Sequence, residues 1–180
     1  MKPVIYQLLP RLFTNQCSTC VHYGTIEQNG VGKLNDISSR VLDSIRALGV
    51  THVWYTGIIE HATATDYSQY GIARDNHNIV KGIAGSPYAI KDYYDIDPDL
   101  AVDVPNRMAE FEALVHRTHS AGLKVIIDFV PNHVSRQYHS DVKPAGIEDL
   151  GADDDRTKHF APNNNFYYIP RQQFMPHDVF

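Results

Sequence analysis

Three residue types able to do chemistry close the stretch Lys124-Val-Ile-Ile-Asp-Phe-Val-Pro-Asn-His133: the carboxylate of Asp128, the carboxamide of Asn132 and the imidazole of His133. Together such groups can hydrogen-bond a hydroxylated ligand or hold a hard cation. The apolar run Val125–Ile127 before them reads as a buried strand, which would mount them on a rigid element. In a barrel of parallel strands, polar groups at a strand's C-terminal end face the active site. The cluster is therefore expected to be a site or the edge of one.

The elements that must position it follow from the apolar spacing. Val4–Phe13 reads as a first strand. Ile37, Val41, Leu42, Ile45 and Leu48 form one helical stripe, with Asn35 or Asp36 as cap and Gly49 as stop. Val50–Tyr55 is a second strand, on which Trp54 is expected in the core. Strand, helix and strand joined by short turns imply a right-handed crossover and parallel pairing. Residues 56–103 carry many Gly, Pro, Tyr, Asp and His and read as irregular; loops this long tend to be functional. Asp66, Tyr67, Tyr70 and Asp75 are candidates to line a cleft there. A second helix is expected over 104–120, capped by Asp103, with Pro105 in its first turn and Met108, Phe111, Leu114 and Val115 facing inward. The strand Lys124–Val130 follows. Residues 134–180 have no helical period and read as an irregular or small β-rich excursion.

The bounds on function are broad. With 180 residues, 43% apolar and 21% charged, the chain can fill a globular core. A net charge of −5 with no basic stripe argues against a nucleic-acid partner. Gln7, Pro10 and Arg11 break the early apolar run before it could serve as a signal-peptide core, and no later run could span a bilayer. A cytoplasmic chain without a membrane partner is expected. Tyrosine is frequent at 11, and its flat face and polar tip suit polyhydroxylated ligands as well as ordinary half-buried packing. Cys17 and Cys20 form a Cys-x-x-Cys unit in a polar loop, with neither a strand-to-helix junction nor a second pair, and read as incidental.

Several segments resemble one family in order and spacing. Ala121-Gly-Leu-Lys-Val-Ile-Ile-Asp-Phe-Val-Pro-Asn-His133 is similar to the first signature region of glycoside hydrolase family 13, the α-amylase-like enzymes. Gly85-Ser-Pro-Tyr-Ala-Ile-Lys-Asp-Tyr-Tyr-Asp-Ile-Asp-Pro98 resembles the segment before that family's second barrel helix. Leu48–Tyr55 and Val4–Phe13 resemble its second and first strands. The implied fold is α/β, the N-terminal portion of a (β/α)8 TIM barrel with about three strands over 1–133. Residues 134–180 then begin a domain-B-like excursion after strand three.

The resemblance also implies roles. Tyr88 would stack on the sugar at the cleavage point and His133 would hydrogen-bond it. Asp128 and Asp92 would organise the site, and Asn132 would ligate Ca2+, with Asp153, Asp154 and Asp155 as candidate partners. The family's Gly-Tyr-Asp is Pro87-Tyr88-Ala89 here, so one supporting carboxylate is missing. The implied partner is an α-glucan or oligosaccharide, cleaved with retention at α-1,4 bonds. Retaining hydrolysis needs a nucleophile and an acid/base carboxyl about 5 Å apart, and the family takes both from later strands. His177-Asp178 only superficially matches a late His-Asp pair. The chain alone is expected to be inactive. A non-catalytic carbohydrate-binding or assembly module, or a sucrose- or trehalose-acting transglycosylase, are the alternatives.

Overall fold

The computed structural model describes residues 2–172; His177 and Asp178 lie outside them. Three strands, β1 (Ile5–Leu8), β2 (His52–Tyr55) and β5 (Lys124–Ile127), form a parallel sheet in the order β1-β2-β5. Gln7, Trp54 and Ile126 align in register, as do Leu8, Tyr55 and Ile127. Val53, Tyr55 and Leu8 meet Leu42, Ile45 and Leu114 in one buried cluster, so this face of the sheet packs on the helices.

α3 (Ser39–Ala47) and α4 (Arg107–Ser120) supply those helical faces. Ser38 caps α3 by accepting from the Val41 amide; Asn35 and Asp36 sit one turn earlier, in a 3-10 turn over Leu34–Asp36. Leu42 and Ile45 are buried, whereas Leu48 is exposed, because the helix has ended and Gly49 reverses the chain at φ 83°. Asp103 does not cap α4: a 3-10 turn over Val104–Asn106 takes up Pro105, and α4 begins at Arg107. Its inward face is Arg107, Glu110, Leu114 and Thr118, while Met108 points out. Polar groups occupy that face because each finds a partner. Glu110 accepts from the Val102 and Asp103 amides, and the Thr118 hydroxyl lies 2.7 Å from Tyr55 Oη.

Three expected strand boundaries shift. β1 stops at Leu8, and Pro10, suited to a helix's first turn, opens α1 (Pro10–Phe13). β2 starts at His52. β5 stops at Ile127 and is half-exposed rather than buried, since it forms an edge of the sheet: Ile127 is 42% exposed and Phe129 70%. A further short helix, α2 (Ile26–Asn29), has the Thr25 amide donating to Gln28 Oε1 at 2.9 Å. No helix among the described residues is long and apolar enough to cross a membrane.

The segment 56–103 is not irregular throughout. β3 (Ile59–His61) and β4 (Ile90–Ile96) form an antiparallel pair with register shifts. β4 buries Lys91, Asp92 and Asp95. Lys91 Nζ reaches Asp75 at 3.1 Å, and Arg107 donates to Asp95 through Nε at 2.8 Å and again through Nη2. Tyr67 is buried, donating to Asp99 at 2.6 Å, and Asp66 pairs with Arg74. Tyr67 and Asp75 are therefore framework, not cleft lining. The excursion joins the pair through backbone: the Ser135 and His139 amides donate to the Ile90 and Lys91 carbonyls. Beyond that no helix or strand forms in 134–172, so the described part of the excursion is irregular and not β-rich.

Leu114 is fully buried between the sheet and α3. Leu114→Ala should cost about 2–5 kcal/mol through lost transfer energy and the cavity left behind. Urea denaturation should show a lower midpoint at an unchanged m-value.

Candidate functional site at the strand ends

Alternation along β5 turns Ile126 and Asp128 to the face of Trp54, away from the helices. The Trp54 indole N–H donates to Asp128 Oδ1. Trp54 is thus half-buried on the inner face and not in the hydrophobic core, correcting the sequence expectation. The physical reason is its polar edge: an indole N–H needs an acceptor, and the strand-end carboxylate supplies one.

From Pro131 the chain is exposed, and Asn132 Oδ1 lies 2.8 Å from His133 Nδ1. Tyr93 of β4 fixes this turn by donating to the Val130 carbonyl. Its ring packs on Phe129 and Tyr138, with centroids 5.6 and 5.9 Å away. A cleft of about 530 Å³ opens between this strand end and the excursion, lined by Tyr93, Tyr94, Phe129, Asn132, His133 and Phe166 among others. It is apolar-walled with a few polar groups, as sugar and small-ligand clefts are. Tyr88 and Asp128 do not line it.

Tyr88 is 50% exposed on the loop leading into β4. Two glycines seat that loop. A Cβ on Gly57, at φ 73°, would lie 2.8 Å from Pro87 Cβ, and one on Gly85, at φ 76°, would strike the Ala62 carbonyl at 1.8 Å. The Ala62 amide donates to the Ala89 carbonyl at 3.0 Å. His61 Nε2 lies 3.0 Å from the Ala84 carbonyl, while Nδ1 faces Asp97 at 3.4 Å, with both side chains buried. Asp92 is fully buried, and its Oδ1 accepts from the Tyr94 amide at 2.7 Å. The sequence reading missed His61, Asp97, Gly57 and Gly85, which hold the Tyr88 loop. The glycines and the adjacent ionisable pair Glu60-His61 were the available signals.

As arranged, these residues do not make a calcium site at Asn132. That side chain offers one oxygen, already beside His133, whereas calcium takes six to eight. Asp154 accepts from the Asn165 and Phe166 amides and from Tyr168 Oη, and Asp155 from Thr157 and Lys158. Both carboxylates staple their own turns, and hydrogen bonds from Thr157 and Lys158 hold Asp155 well down, at about 2. The described residues do form one acidic grouping, Glu60, Asp92, Asp95 and Asp141.

Residues 7–172 match the family model described as the alpha amylase catalytic domain. The chain belongs to the alpha-amylase family. It is 28% identical over 170 residues to Maltase 1 of Drosophila virilis, covering 89% of this chain and 21% of the relative. It is 33% identical over 137 residues to trehalose-6-phosphate hydrolase of Bacillus subtilis, covering 76% and 18%. An alpha-amylase from Lactobacillus plantarum superposes with a TM-score of 0.51 at 29% identity, over 75% of this chain and 24% of that one. The chain thus spans about a fifth of the length of the curated relatives it matches. Its three-stranded parallel sheet is the N-terminal portion of the family's barrel, not a closed one.

Within this family member, burial raises the Asp97 carboxyl from the ordinary 3.8 to about 6, with His61 opposing the shift. Folded protein therefore keeps a proton that the unfolded chain releases between about pH 4 and 6. That contribution is complete below pH 4, shrinks as pH rises through 6 and is constant above. Asp97→Asn should flatten the slope, at most about 1.4 kcal/mol per pH unit, when urea stability is compared across pH 4–7.

Proposed function

We propose that the chain forms the substrate-binding N-terminal wall of an α-glucoside hydrolase that cleaves α-1,4 bonds with retention. The observation carrying this reading is the family match over 7–172 together with Asp128, Asn132 and His133 at the end of β5. In this reading His133 hydrogen-bonds the bound sugar beside the aromatic cleft, and Tyr88 offers its exposed ring as a stacking face. Asp128, held by the Trp54 indole, and Asp92, buried under Tyr94, organise the two walls without touching sugar. Residues 1–133 act as the barrel part and 134–180 as the start of the excursion. Asn132 serves calcium only if residues beyond this chain complete its shell.

The reading places nucleophile and acid/base outside these 180 residues. Retaining chemistry needs two carboxyl groups about 5 Å apart across the scissile bond, whereas Asp128 is occupied by Trp54 and the buried carboxylates lie beneath the β3–β4 pair. The 33% identity to a trehalose-6-phosphate hydrolase favours one second reading, a trehalose-type disaccharide as substrate.

The test compares the full-length protein with the 180-residue chain on maltooligosaccharides and on trehalose 6-phosphate, reading released reducing sugar. The full-length enzyme should be active and the chain alone inactive. In the full-length enzyme, His133→Ala should lower kcat/KM about 10²-fold or more, as for loss of one donor to a developing charge. Tyr88→Ala should act mainly through KM. Sugar release by the isolated chain would overturn the assignment.

A further inference from the structure

We propose that Glu60, Asp92, Asp95 and Asp141 form a divalent-cation site of the calcium class, tying the β3–β4 pair to the excursion. Each offers an oxygen, and the four oxygens lie within 4.8 Å of one another. A calcium shell with bonds of 2.3–2.6 Å is roughly 5 Å across, so one ion can touch all four. Magnesium, which demands octahedral geometry at shorter bonds and keeps its waters, fits a carboxylate-crowded pocket less well.

The way these groups are partnered points to a ligand. Glu60 and Asp92 are register partners across β3 and β4, a placement that is destabilising for like charges. Both are almost wholly buried, and Glu60 Oε2 and Asp92 Oδ2 have no hydrogen-bond partner. The Ser140 hydroxyl, also buried, faces Asp92 without completing a hydrogen bond of good geometry, and adds a neutral oxygen next to Asp141. The nearby cations cover only part of the cluster. Arg107 bonds Asp95 Oδ2 and reaches Asp141 Oδ2 at 3.4 Å, whereas Lys91 Nζ sits 3.8 Å from Glu60 and closer to Asp75. Two cations thus face five carboxyl groups, and within the four-residue cluster the buried oxygens left without a partner are Glu60 Oε2 and Asp92 Oδ2, with Asp75 Oδ1 a third such oxygen beside Lys91.

A proton on Glu60 is the rival way to relieve this repulsion, and burial does push that carboxyl up, to about 9. A cation relieves it while also engaging Asp141 and Ser140, which a single proton cannot do. The site uses none of Asp128, Asn132 and His133 and does not depend on the proposed hydrolytic function.

The test uses the purified chain, stripped with chelator and desalted, and titrated at pH 7 with CaCl2 and separately with MgCl2. Thermal midpoint and calorimetry are the readouts. Calcium should bind saturably at one site per chain and, at about 100 times its Kd, raise the midpoint by roughly 5–10 °C. Binding should release protons, read as a heat that varies with buffer ionisation enthalpy. Asp92→Asn should abolish the response without lowering the metal-free midpoint, since it removes a like charge. Asp141→Asn, at a partly exposed position, should weaken binding at least tenfold with circular dichroism unchanged. Asn132→Ala should leave binding intact. A midpoint indifferent to millimolar calcium, meaning a shared proton only, overturns the proposal, as does loss of binding in Asn132→Ala alone.

Discussion

The Arg107–Asp95 pair is the constraint on which the arrangement rests. Arg107 opens α4 and Asp95 lies near the end of β4, and both are buried where an unpaired charge would cost several kcal/mol. Once formed, the pair sets how β4 crosses α4, and β4 in turn carries Tyr93 to the Val130 carbonyl. Arg107 also reaches Asp141, so this one side chain ties α4, β4 and the excursion together. A planar fork suits this task better than an ammonium, because its donors point along fixed directions.

The sheet and the β3–β4 pair are stabilised by different physics. β1, β2 and β5 bury apolar side chains on α3 and α4, which is non-directional and tolerant. Beneath the β3–β4 pair, Lys91 holds Asp75 and Arg107 holds Asp95 by directional contacts in low dielectric, so small displacements are costly. Loops that must present side chains at fixed positions gain from the second kind of packing. The Asn132–His133 turn stays exposed because its rigidity comes from the half-buried Tyr93 and β4 behind it.

What could be read from the sequence follows the same division. The three parallel strands and two helices were legible because their apolar periods report burial directly. β4 was not, since Ile90-Lys-Asp-Tyr-Tyr-Asp-Ile96 turns charges inward and shows no apolar alternation. Trp54 was misplaced for a related reason. Large aromatics on strands usually serve cores, and only the register with Ile126 reveals that its face is the one carrying Asp128. The inward face of α4 mixes Arg107, Glu110 and Thr118 with Leu114, so Met108 looked the better core residue on hydropathy alone. Asp128, Asn132 and His133 stood out because a motif with fixed spacing survives where periodicity is blind.

Position 89 shows how geometry can be kept with a different residue. The resembled family has Gly-Tyr-Asp where this chain has Pro87-Tyr88-Ala89, and a methyl group cannot orient a loop electrostatically. Here the loop is seated by contact instead. Pro87 lies against Gly57, Gly85 passes over the Ala62 carbonyl, and residue 89 contributes its own carbonyl to the Ala62 amide. A proline also removes backbone freedom from the unfolded loop, which lowers the entropy cost of holding Tyr88 in place. The strained positions then fall on glycines, for which a positive φ costs little, and the exposed tyrosine ring needs no carboxylate beside it to stay presented.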